Sequence, residues 1–135
     1  SDDFSLQFAK TGDALDDEQR MVWGWASVSS IKSALVLDTQ NDVIEALDLV
    51  KMATDFMIDV RTSKRMHDGD PIGLVVHSLP LTAELAKSLG ISAEQEGWVV
   101  GVKIYDDDTW QAVKSGELAA FSIGGRAQRV PLDGN

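Results

Sequence analysis

Phe4, Leu6 and Phe8 alternate with polar residues, the period of a half-buried strand. A turn signal at Thr11-Gly12-Asp13 and an acidic patch at Asp16-Asp17-Glu18 follow. The run from Arg20 to Ser29, rich in Val and Trp, predicts a second strand. Gly24, between Trp23 and Trp25, marks a bulge or a close backbone approach within it. Leu35 to Leu37 read as a short strand entering the loop Asp38-Thr39-Gln40-Asn41-Asp42, whose Asp and Asn side chains can cap a helix. That helix is set by Val43, Ala46, Leu47, Val50, Ala53, Met57 and Val60, an apolar stripe at spacings of mostly three and four.

Arg61, Lys64 and Arg65 gather past the helix end, where they complement its dipole, and His67 opens the polar loop His67-Asp68-Gly69-Asp70-Pro71. Ile72 to Leu79 predicts a strand interrupted by Pro80. Thr82 to Leu89, with a Thr cap and a stop at Gly90, predicts a short helix. Trp98 to Tyr105 is a strand, and Asp106-Asp107-Asp108 caps a helix carrying Trp110 and Val113 that ends at Gly116. Leu118 to Val130 reads as one last strand with Gly124-Gly125 inside it. Strands that do not alternate regularly with helices imply an α+β fold on a small, mostly antiparallel sheet or barrel, in a single domain spanning residues 1–135.

Charge and cysteine usage narrow the function classes. Twenty-two acidic against twelve basic residues give a net charge of −10, which argues against nucleic acid and anionic lipid surfaces as partners. With no cysteine, a disulfide framework, a thiolate zinc site and a cysteine nucleophile are excluded together, and an intracellular setting fits. No apolar run approaches the length of a membrane span and no signal-peptide pattern opens the chain, so a soluble protein is expected.

The remaining nucleophiles are hydroxyls, inert near neutral pH without a base. Histidine is the usual base, and the chain holds two, His67 and His77. Their spacing matches no metal-ligand motif, so neither a metal nor another cofactor is expected. Ser122 lies between Leu118-Ala119-Ala120-Phe121 and Ile123-Gly124-Gly125. Glycines beyond a nucleophile let backbone N–H groups turn toward a developing oxyanion. The alternative is a strand serine bonded to a neighbouring carbonyl, with the glycines forming a bulge.

Read together, His67-Asp68-Gly69-Asp70-Pro71-Ile72-Gly73 and Gly116-Glu117-Leu118-Ala119-Ala120-Phe121-Ser122-Ile123-Gly124-Gly125 resemble the two signature blocks of phage prohead, or capsid-maturation, proteases. The Asp38-to-Asp42 loop before the helix resembles a third block. Gly97 to Ile104, with Trp110 and Lys114-Ser115-Gly116-Glu117-Leu118, is especially similar to the XkdF-like branch. The likeness runs from about residue 20 to 127 in the right order.

The resemblance implies a herpesvirus assemblin-type fold, a small β-barrel surrounded by helices, with His67 as base and Ser122 as nucleophile. The oxyanion is then held near Ile123, Gly124 and Gly125. Where related proteases often carry an acid after the Pro-Ile-Gly segment, this chain has His77. Herpesvirus proteases use a Ser-His-His set, so His77 can orient His67. A strand histidine with a purely local role, or an orienter supplied by Asp38, Asp42 or Asp68, stays open, because triads are recognised by geometry.

The resemblance further implies a serine endopeptidase that cleaves scaffold and major capsid protein, and itself, in the prohead interior inside the bacterial host cytoplasm. It admits activation by self-association to a homo-oligomer. Two other readings stand beside it: a catalytically inactive protease-fold module that binds scaffold or capsid, motivated by the missing acid and by a chain ending soon after Ser122, and a hydrolase of small esters. The tryptophans read first as packing, and Arg126 as an exposed strand-end residue.

Overall fold

Phe4 and Leu6 are buried on one face of β1 (Phe4–Phe8), while Ser5 and Gln7 take the other. The computed structural model describes residues 4–8, 15–16, 19–28, 46–62, 72–123 and 127–129. Around β1 are arranged β2 (Leu15–Asp16), β3 (Met21–Val28), β4 (Gly73–Leu81), β5 (Gly97–Ile104), β6 (Ala120–Ile123) and β7 (Ala127–Arg129). The helices are α1 (Ala46–Thr62), α2 (Ala83–Leu89) and α3 (Asp107–Ser115). No helix among the described residues is long and apolar enough to cross a membrane.

The fold is α+β. Five antiparallel strands, in the order β6-β1-β3-β5-β4, curl into a half-barrel. Short β7 pairs with β6 and touches β4 at one register position, Gly73 opposite Ala127. At Gly24 the backbones of β1 and β3 approach closely: a Cβ there would collide with the Gln7 carbonyl. Of the two meanings expected for this glycine, close backbone approach is the one observed.

The inner face of the half-barrel carries Phe4, Leu6, Val22, Val75, Trp98, Val100, Val102, Ile104 and Ile123. Helix α1 closes this core with Leu49, Ala53, Phe56 and Val60, a stripe at helical spacing. The expected stripe was one position out of phase in places: Val50 is 38% exposed and Met57 only partly buried. Phe56 takes the central place because it meets Phe4 and Trp98 edge-on, at ring-centroid distances of 5.6 and 5.2 Å. Phe4 and Trp98 meet likewise at 4.9 Å.

Local signals set the short helices as expected. Thr82 caps α2 by accepting from the Leu85 N–H at 3.1 Å, and Gly90 ends it with φ 73°. Asp106 caps α3 by accepting from both the N–H and the hydroxyl of Thr109, at 2.9 and 2.6 Å.

Three expectations change. The two-residue β2 occupies part of the acidic patch, where polar side chains hid a strand. Strand β4 runs through Pro80 to Leu81. Proline is tolerated on a sheet edge, and beyond Gly73 that side of β4 has no ladder partner among the described residues. The segment from Leu118 to Val130 is not one strand. It reverses between Ile123 and Ala127, which face each other in an antiparallel ladder, and a glycine-bearing connection of this length suits a hairpin. The expected strand at Leu35–Leu37, the loop from Asp38 to Asp42 and the loop from His67 to Pro71 lie outside the described residues.

Candidate active site

Ser122 is the penultimate residue of β6, and its strand position follows from alternation. Ile123 points into the core and is fully buried, so Ser122 stands on the outer face, half-buried. It faces Ser5 across the β1 ladder and Gln128 across the β7 ladder. Ile123 is likewise flanked, by Phe4 and Ala127. The nucleophile candidate is therefore held on a strand paired along both edges, a rigid support for a reacting hydroxyl.

The register brings Gly73, the last residue of one candidate block, near the serine block. Ile123 pairs with Ala127, and Ala127 pairs with Gly73. Two ladder steps place the Cα atoms of Ile123 and Gly73 about 10 Å apart. Gly73 closes the His-Asp block in sequence, and the stretch from His67 to Gly73 reaches at most about 20 Å. Residues far apart in the chain thus meet at one corner of the half-barrel. His67, Gly124, Gly125, Arg126, Asp38, Asp42 and Asp68 lie outside the described residues.

His77 is placed further along β4, on the outer face and exposed. The bulge between Val75 and His77 re-aims the strand there. The imidazole stacks on the Trp23 ring, with centroids 4.9 Å apart and planes at 16°. Beneath the pair lies Gly101, which faces both residues across the β3 and β4 ladders. A Cβ on Gly101 would stand 2.9 Å from the Trp23 ring and 3.1 Å from the His77 Cβ. From Gly73 to His77 the strand advances roughly 13 Å. Among the described residues no hydrogen bond joins His77 to Ser122, and a role for His77 needs a third group between them.

Two features of this site were missed in the sequence. Ser5 opposes Ser122, and Trp23 holds His77. The alternation of Phe4, Leu6 and Phe8 already put Ser5 on the polar face, but nothing local specifies which strand lies beside it. Of the four tryptophans, Trp98 and Trp110 are core, and Trp23 and Trp25 are half-buried on the outer face. Among the described residues no group of three His, Asp or Glu side chains converges as a metal-ligand set.

The chain is 27% identical over 115 residues to the "Uncharacterized protein YqbD" of Bacillus subtilis (strain 168), an alignment covering 84% of this chain. It spans 34% of the length of that relative. No solved structure matches the chain. A family model matches residues 10–131, taking in both the block before Gly73 and the β6–β7 hairpin, and the chain belongs to the family it describes, "Putative phage serine protease XkdF".

Proposed function

We propose that the chain is the protease domain of a phage capsid-maturation serine endopeptidase, with an assemblin-type fold. The observation that carries this reading is the row Ile123–Ala127–Gly73, which joins the serine block to the end of the histidine block. In this reading Ser122 Oγ attacks the scissile carbonyl carbon while His67 takes its proton. The carbonyl oxygen becomes an oxyanion, held by backbone N–H groups near Ile123, Gly124 and Gly125. On collapse the peptide C–N bond breaks, and His67 returns the proton to the leaving amine.

His77 is the proposed orienter of His67. Trp23 supports the assignment by fixing the plane of the His77 ring. A neutral imidazole supports an imidazolium less than a carboxylate does, so turnover should be modest. Scaffold protein, major capsid protein and the chain's own flanking segments are the proposed substrates, cleaved inside the prohead. No cofactor enters these steps.

The test is intact-mass spectrometry of the full-length protein and its Ser122→Ala variant, each alone and mixed with the scaffold protein of the same phage. Fragments that form only when Ser122 is present support the endopeptidase and give the cleavage site from their masses. Fragments formed equally by the variant would overturn the assignment. Stable binding of scaffold without any cleavage would favour the inactive binding module.

A further inference from the structure

We propose that Ser5 is a positioning residue for Ser122, donating a hydrogen bond to the Ser122 hydroxyl oxygen from the neighbouring strand. The inference rests on the reading of Ser122 as nucleophile and deepens it. Ser5 precedes the residues matched by the family model, which begin at residue 10, so the likeness to phage proteases assigns it nothing. The register alone points to it.

Ser5 and Ser122 are direct Cα partners in the β1–β6 ladder. Both stand on the outer face, opposite the buried Phe4, Leu6 and Ile123, and both are half-buried. Directly opposed side chains in an antiparallel ladder have Cβ atoms about 5 Å apart. Two hydroxyls on such atoms can close to the roughly 2.7 Å of an O–H···O bond by rotation about χ1. The backbone needs no movement.

The direction of the bond follows from what each hydroxyl must do. A nucleophilic serine gives its own proton to the base, so its O–H is committed to His67. Its lone pairs remain, and Ser5 is placed to donate to one of them. Such a bond selects one χ1 rotamer of Ser122 and favours the oxygen as negative charge develops on it. The Ser5 oxygen in turn can accept from Ser27, its direct partner on β3, or from water. Ser5 transfers no proton and touches no substrate.

The same geometry explains why β1 belongs to the site as well as to the core. Its inner residues Phe4 and Leu6 fix its depth in the half-barrel, and that depth fixes the height of Ser5 beside Ser122.

The test uses a fluorophosphonate probe, with the labelled residue located by peptide mass spectrometry. Ser122 Oγ displaces fluoride, a P–O bond forms as the P–F bond breaks, and the serine proton passes to the base. Ser5→Thr keeps a hydroxyl, and Ser5→Val has the same shape without one. Both are β-branched and suit a strand, and urea unfolding checks that their stabilities match. Ser5→Thr should label Ser122 at the parent rate. Ser5→Val should fall about tenfold in maximal rate with its half-saturating probe concentration unchanged, as expected for one hydrogen bond of ordinary strength. Equal maximal rates for the two variants would overturn the role of Ser5 and leave Ser122 as nucleophile. Parent protein labelled elsewhere than Ser122 would instead overturn the nucleophile reading, and the role of Ser5 with it.

Discussion

Trp23 and His77 stack face to face on the outer surface of the sheet, their ring centroids 4.9 Å apart and their planes inclined by 16°. They come from strands that do not pair with each other. Strand β5 runs between them, and they meet only because β5 presents Gly101 at that level. The contact can serve packing, chemistry, or both. His77→Phe keeps an aromatic ring on Trp23 and removes both nitrogens. If His77 orients His67 as proposed, this variant should lose roughly a hundredfold in scaffold cleavage, the low end of what positioned acid–base chemistry contributes, with little change in urea midpoint. Trp23→Ala should lower both. Cleavage at the parent rate by His77→Phe would reduce His77 to a packing residue.

Gly101 is the floor of this stack. In Gly101→Ala the new Cβ lies 2.9 Å from the Trp23 ring and 3.1 Å from the His77 Cβ, so one of the two must move. Overpacking of this kind costs about 1–3 kcal/mol. A lower urea midpoint at unchanged m-value is expected. Near-UV circular dichroism should also change, because the Trp23 environment changes. An unchanged midpoint would mean that the ring swings away at little cost.

Elements governed by local chemistry were legible in the sequence, and those governed by pairing were not. Thr82, Gly90, Asp106 and Gly116 mark the ends of α2 and α3 because capping is a matter of a few adjacent residues. The inner and outer faces of β1 followed from Phe4, Leu6 and Phe8. Pro80 misled because its cost depends on whether the strand edge is occupied, a fact of the assembled sheet. The stretch beyond Leu118 hid a reversal because Ile123 and Ala127 show their partnership only through register. For the same reason Ser122 could be chosen from the sequence, while Ser5 opposite it and Trp23 against His77 could not.

Trp98 is, with Trp110, the largest of the fully buried side chains among the described residues, 1% exposed, and its indole N–H donates to the Ser78 hydroxyl at 2.8 Å. Ser78→Ala leaves that donor without its partner in the core. The cost of an unsatisfied buried donor is about 1–3 kcal/mol, expected as a lower urea midpoint. Ser78→Thr retains an oxygen and should recover most of it. Equal stability of Ser78→Ala and the parent would show that the indole finds another acceptor.

Gly24 links the stability of the half-barrel to the geometry of the candidate site. A Cβ at this position meets backbone, not a side chain that could rotate away: the Gln7 carbonyl oxygen and carbon, with the Phe8 Cα at 3.1 Å. Gly24→Ala must therefore push β1 away from β3. The cost should reach or exceed the upper end of overpacking penalties, about 3 kcal/mol. Strand β1 is paired on its other edge with β6, where Ser5 faces Ser122, so the displacement reaches the site. Urea unfolding should show the loss of stability. Fluorophosphonate labelling of Ser122, measured where the variant is still folded, should slow as well. Gly101→Ala leaves the β1–β6 ladder in place but displaces Trp23 or His77, so a slowing of labelling in that variant reports on the His77 side of the site and not on β1. Gly24→Ala that is destabilised yet labels at the parent rate would show that Ser122 does not depend on the placement of β1.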